Sequence, residues 1–179
     1  MASNVSEPVG SPLVKWTAPG LLGGMMFAMF AMIVAIFTST FWAPPQGIAQ
    51  AIGIGPDGHD FHVVPFLLGL LGHMMNSVIL GAIFLAIVRA RRPASAITVV
   101  GGMVYGLVVY AVMYWVLLRH LLSLWAAQGV TSFLTSNPEW SWVVGHLIFG
   151  MVLGLLVAYG LLRIATATTP KLETRPAVR

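Results

Sequence analysis

Apolar residues fill the chain in four long runs, and charged residues mark the places between them. The first run, Trp16 to Ala43, lies between Lys15 and Asp57 and closes at Pro44-Pro45, because a residue without an N–H cannot continue a helix. The second covers Val63 to Val88 and stops before Arg89. The third, about 94–118, lies between Arg92 and Arg119, and the fourth, about 140–162, between Glu139 and Arg163. Each exceeds the roughly 20 residues that cross a hydrocarbon layer of about 30 Å. Charge is costly in that layer and every backbone amide there needs an internal partner, so the runs predict helices. The expected architecture is an all-α integral membrane protein: a four-transmembrane-helix bundle of two tandem helical hairpins over 16–164, between polar tails at 1–15 and 165–179.

The connecting segments carry weaker patterns. Gln46 to Phe61 is glycine-rich and reads as a compact loop at the outer end. Leu121 to Asn137 is half polar, with Leu121, Leu124, Trp125 and Phe133 among its apolar members, and reads as a short helix along the interface. Trp115, Trp125, Trp140 and Trp142 fall near that same end, where amphipathic rings favour the headgroup layer.

Composition sharpens the class. Of the 179 residues 58% are hydrophobic and 8% charged, with a mean hydropathy of +0.90, whereas soluble domains carry about a quarter charged residues. A soluble globule is excluded. The absence of cysteine removes disulfides, iron–sulfur clusters and thiolate zinc sites. The net charge of +4 would suit nucleic acid, but its distribution argues for a membrane. With the N-terminus cytoplasmic, that side holds Lys15, Arg89, Arg91, Arg92, Arg163, Lys171, Arg175 and Arg179, leaving Arg119 outside with Asp57, Asp60 and Glu139. Both termini are therefore expected in the cytoplasm, with the basic residues facing anionic lipid and no nucleic-acid partner. The first run exceeds the apolar core of a cleavable signal and lacks a basic leader, so it is expected to remain as a span.

A two-helix unit repeats. Gly23-Gly24-Met25 in the first run matches Gly101-Gly102-Met103 in the third, and Gly72-His73 with Gly81 in the second matches Gly145-His146 with Gly154 in the fourth. The second and fourth helices run the same way, so the hairpins form a parallel repeat about an axis along the membrane normal. At about 1.5 Å per residue, His73 lies roughly 24 Å from Arg89 and His146 roughly 25 Å from Arg163. Both imidazoles should share one layer toward the outer side. His73, Ser77 and Gly81 form one stripe, and His146, Gly150, Gly154 and Ala158 another. Gly20 with Gly24, and Gly102 with Gly106, give similar stripes on the other helices. Small residues mark close backbone approach in membranes, so both histidines are expected to face the interior.

These residues give the chain a family likeness. Gly72-His73 with Gly81, Gly102 with Gly106, and Gly145-His146-Leu147 followed by Gly150, Leu153 and Gly154 resemble a group of small four-helix bacterial inner-membrane proteins whose role is not established. The likeness covers roughly Pro19 to Arg163. It implies the four-helix layout and a place in the bacterial cytoplasmic membrane, and no reaction, substrate or cofactor. That family has a proline near the outer end of its third helix, and Ala111 to Leu124 contains none.

Four roles suit the histidines and their surroundings. As structural ties, the imidazoles hydrogen-bond to a facing helix, with Asn76 one turn from His73 as a further member, contributing about 1 kcal/mol. Alternatively, His73 and His146 bind a b-type haem as axial ligands from diagonal helices, making the chain an electron-transfer subunit. In a third reading Asp57, His59, Asp60 and His62 in the outer loop hold zinc or copper, or, as a separate candidate far from that loop, Met25, Met29 and Met32 on the first helix offer thioethers to copper(I). A transporter is the fourth, although ion pathways usually place ionisable groups at mid-membrane. No paired carboxylates, nucleophile with base, phosphate loop or HExxH sequence is present, so no enzyme is expected. The leading expectation is a non-catalytic structural or accessory component of a membrane assembly, without a cofactor, joined to lipid, other membrane proteins or its own copies.

Overall fold

The computed structural model describes residues 12–56, 58 and 60–167, with side chains from 16 to 159. Among these, six α-helices carry the chain: α1 (Pro12–Thr38), α2 (Ala43–Ala51), α3 (Val63–Arg91), α4 (Ser95–Tyr110), α5 (Ala127–Thr135) and α6 (Glu139–Ala167). α4 runs on without interruption as a π-helix, Ala111–Leu121, and a short 3-10 turn, Leu122–Leu124. Four helical stretches, Trp16–Thr38, Val63–Arg91, Ser95–Leu124 and Glu139–Tyr159, are long and apolar enough to cross a membrane. The architecture is thus all-helical and fits a multi-pass membrane protein.

None of the four long helices has a polar face. Where the solvent outside is as apolar as the core inside, side-chain size replaces polarity as the signal for burial. On α1, Gly20, Gly24, Ala31 and Ala35 are buried, while Leu21, Leu22, Met25, Met29 and Ile33 are exposed. The larger residues, Phe27 excepted, face outward.

Glycines set the helix crossings. A Cβ on Gly81 would press on the Gly20 backbone, and one on Gly24 would meet the Ser77 side chain, which fixes α1 on α3. α6 meets α4 in the same manner, through Gly102 against Gly150 and Gly154, and Gly106 against His146 and Gly150. Trp16 lies under the Arg89 guanidinium, 4.1 Å from ring centre to Cζ, so the start of α1 sits beside the end of α3. α1 also packs on α6, where Gly145 leaves room for the Phe27 ring. Around the bundle the order is therefore α3, α1, α6, α4. The remaining seam, between α4 and α3, is thin: Tyr105 donates from its hydroxyl to Leu80 O at 2.8 Å and lays its ring near Phe84, 5.2 Å between centroids.

The short helices close the end opposite Trp16 and Arg89. Pro44-Pro45 occupy the first turn of α2, where a missing N–H costs nothing and the fixed φ favours the helix. The pair that ends the first apolar run therefore opens a new helix, and the expected loop at 46–61 is helical up to Ala51. α2 lies across α3, with Gly69 giving way to Pro45 O, and against α5, with Gly129 giving way to Gln50 O. α5 buries Gly129, Val130 and Phe133. Leu124 and Trp125, just before it, are 84% and 79% exposed.

Polar side chains tie this cap to the long helices. Gln46, with no exposed surface, donates from Nε2 to Asp60 O at 2.7 Å and accepts at Oε1 from the His62 N–H at 2.8 Å. Asn137 donates to Ala31 O at 3.0 Å, and Ser39 donates to Ser136 O at 2.6 Å. Those bonds join the α5–α6 turn to the end of α1.

Candidate functional site

Beneath the cap the four long helices do not close completely. A cavity of about 330 Å³ lies between them, floored by Leu80, Val109 and Phe149 and roofed by Pro44, Ile48 and Phe133. Its volume is at the lower end of the range for small-molecule sites, about 300–1,000 Å³. The lining is mostly apolar. His73, Asn76, Ser77, Tyr114, Trp142 and His146 supply its polar groups.

Phe27 organises the wall. Its ring is 5.3 Å from that of His73 in edge contact and 4.6 Å from that of His146, and Trp142 stands edge-on to it at 6.4 Å. The two histidines named by the sequence thus touch a common ring and line a common cavity. Their backbone partners differ. His73 Nε2 is 3.0 Å from Gly24 O, on the facing helix, whereas His146 Nδ1 is 2.7 Å from Trp142 O, one turn back on its own helix. A carbonyl only accepts, so the proton sits on Nε2 of His73 and on Nδ1 of His146. In a neutral ring the second nitrogen then carries a lone pair. Neither His73 Nδ1 nor His146 Nε2 has a hydrogen-bond partner among the described residues.

Trp142 also borders the cavity. It is 4% exposed, and its indole Nε1–H has no hydrogen-bond partner among the described residues. A buried donor left unpaired costs about 1–3 kcal/mol. Its neighbour Trp140 is 57% exposed, because residues two apart on a helix point to nearly opposite sides. Trp142 therefore leaves the interfacial cluster in which its position in the chain placed it and belongs to the cavity wall.

The other candidate residues scatter. Ser77 donates to His73 O at 2.8 Å, one turn back, and Asn76 is exposed beside the cavity with no bond to His73. Gly20, Gly24, Ser77, Gly81, Gly102, Gly106, Gly150 and Gly154 are all buried at helix crossings. Of the suggested metal ligands, Asp57 and His59 lie outside the described residues, and Asp60 and His62 meet Gln46 through their backbones. No group of three or more candidate ligands gathers among the described residues. Met25 and Met29 face outward.

Sequence reasoning missed Phe27 and the inward turn of Trp142, since nothing near them in the chain distinguishes a core ring from an interfacial one. It also missed the π-helical stretch. Val109, Met113, Leu118 and Leu122 all line the cavity, and their spacing of four and five residues stays on one face because a π turn takes in more residues than an α turn. No proline is involved in this departure from α geometry.

Comparison with known proteins finds no matching family model, no similar curated protein and no similar solved structure. The site has to be read from its own chemistry.

Proposed function

We propose that this chain is a non-catalytic accessory protein of the bacterial cytoplasmic membrane whose helix bundle holds a lipophilic small molecule. The observation that carries this reading is the cavity: about 330 Å³ of mainly apolar lining with a few polar groups clustered round Phe27. An apolar pocket with a handful of orienting polar groups is the common form of a small-molecule site. Naphthalene is the probe that tests it. Against empty lipid nanodiscs, nanodiscs carrying the full chain should show an additional saturable component at one molecule per chain. Ala28→Phe, which places a ring in the cavity, should remove that component, and Met113→Trp should do the same from the opposite wall. Purely linear uptake, or saturable uptake indifferent to both variants, would defeat the reading.

The bundle is taken as two tandem hairpins, α1 with α3 and α4 with α6. Their crossings support it, since Gly24 against Ser77 corresponds in sequence to Gly102 against Gly150, and Gly20 against Gly81 to Thr98 and Val99 against Gly154. Both termini are taken to be cytoplasmic, a reading supported by the excess of basic residues at that end. Because the chain has no cysteine, Ser95→Cys and Ser123→Cys can report the sides directly. In intact cells an impermeant maleimide should label Ser123→Cys and spare Ser95→Cys, and the reverse pattern would invert the topology.

A haem held by His73 and His146 has less support. Phe27 stands in contact with both imidazoles, and His73 directs Nε2 to Gly24 O.

A further inference from the structure

Roofed by the cap and floored by Leu80, Val109 and Phe149, the cavity meets its surroundings at the side where the bundle is thinnest. On α3, Gly72 and Asn76 stand one turn apart, and both line the cavity while being exposed. A Cβ on Gly72 would meet nothing within 4 Å, whereas Gly69 and Gly81 on the same helix are pressed by backbone. Around the bundle from them, α4 continues as the π-helical stretch, which brings Met113 and Leu117, both half-buried, to the same cavity. The backbone of that stretch scarcely approaches α3. Nearer the Arg89 end, the Tyr105 hydroxyl reaches Leu80 O and draws the two helices together. Gly72, Asn76, Met113 and Leu117 thus frame an opening that ends at Tyr105.

The depth of this opening decides what it faces. α3 runs from Val63 to Arg91, and at about 1.5 Å per residue Asn76 lies roughly 20 Å from either end. In a bilayer that is the middle of the hydrocarbon, not the water layer. The Asn76 amide has no hydrogen-bond partner among the described residues. A polar side chain at that depth is costly and is usually kept for a use, and helix packing supplies none here. π geometry is frequent at functional sites, and here it forms one edge of the opening. We infer that the opening is a lateral portal: the cavity exchanges its occupant with the bilayer between α3 and the π-helical stretch, and so takes apolar molecules that reach it dissolved in lipid. The inference rests on the cavity being a binding site, as proposed above, and adds the phase that supplies it. Ile52, at the end of α2, is also exposed and borders the cavity; it marks the competing route, along the cap.

Saturation-transfer fluorine NMR of 1-fluoronaphthalene, on nanodiscs carrying the full chain, separates the two routes. A bound resonance beside that of the lipid-dissolved probe reports occupancy, and transfer between the two reports the rate of exchange. Gly72→Leu and Leu117→Trp narrow the portal from its two sides and should each slow exchange about ten-fold while the bound resonance persists. Ile52→Trp adds bulk at the cap and should leave the rate unchanged. Tyr105→Phe adds no bulk and frees the edge nearest Arg89, so it should speed exchange several-fold; it decides the matter if both larger side chains displace the probe. Exchange slowed by Ile52→Trp and indifferent to the three portal variants would overturn the portal and put the route at the cap. Exchange indifferent to all four would overturn it as well, with the bound resonance leaving the cavity reading in place. Absence of a bound resonance in the unaltered chain would remove both.

Discussion

Gly102→Ala is expected to destabilise the protein strongly, while Gly101→Ala, one residue earlier, is expected to leave its stability intact. The two positions share a helix, a residue type and a neighbourhood in the chain. They differ in what a methyl group meets. At Gly102 a Cβ would run into Gly150 O and come within 3.0 Å of the Gly154 Cα and N, all of them backbone. Backbone cannot turn aside as a side chain can, so α4 and α6 must separate along their length. Overpacking of this kind costs about 1–3 kcal/mol and more where the neighbours are rigid, a large share of the roughly 5–15 kcal/mol that holds a typical protein. At Gly101 a Cβ meets nothing within 4 Å, and alanine is the better helix former. Thermal unfolding in mild detergent, followed by the monomer peak on size exclusion, should give a strongly lowered midpoint for Gly102→Ala and an unchanged or raised one for Gly101→Ala. Equal midpoints for the two would refute the packing account of the glycine stripes.

Gln46→Leu is expected to be nearly as severe, and for an opposite reason. Leucine fits the space but bonds to nothing. Gln46 has no exposed surface, and its amide serves Asp60 O and the His62 N–H together, at 2.7 and 2.8 Å. Removing it strands two backbone groups at about 1–3 kcal/mol each. Gln46→Glu retains an acceptor for His62 but sets a carboxylate against Asp60 O in a site with no exposed surface, so at neutral pH its loss should at least equal that of Gln46→Leu. Limited proteolysis distinguishes this from a general loss of stability. Cleavage in the stretch from Ile52 to His62 should rise first and most, since Gln46 is what fastens that stretch to α2. Uniform acceleration of cleavage along the chain would count against the local tie.

Much of the architecture can be read directly from the order of residues, because it depends on properties local to each run. Length and the absence of charge delimit the four long helices, and glycines at intervals of four mark their inner faces. Gly20, Gly24, Gly102 and Gly106 could be named without coordinates for that reason. Pairing across space is another matter. The sequence shows two histidines of matching position, but it does not show that one reaches Gly24 and the other turns back to Trp142. Those choices depend on how far apart the facing backbones stand. Pro44-Pro45 illustrates the same limit at short range: proline stops one helix and starts another equally well, and only the packing of α2 on α3 and α5 decides between them. Trp142 and Trp140 are alike as residues, and the phase of α6 alone sends one into the cavity and the other out of it.

The uneven seams of the bundle have a mechanical consequence. Three of them, α3 with α1, α1 with α6, and α6 with α4, are held by long stretches of backbone or ring contact, while the fourth rests largely on the phenol of Tyr105. Deformation concentrates where stiffness is least. The α1–α6 contact then serves as a spine, while α2 against α5, through Gly129 and Gln50 O, clasps the two pairs of helices together at the capped end, so that any parting of the covers widens the space behind Tyr105 from the opposite end.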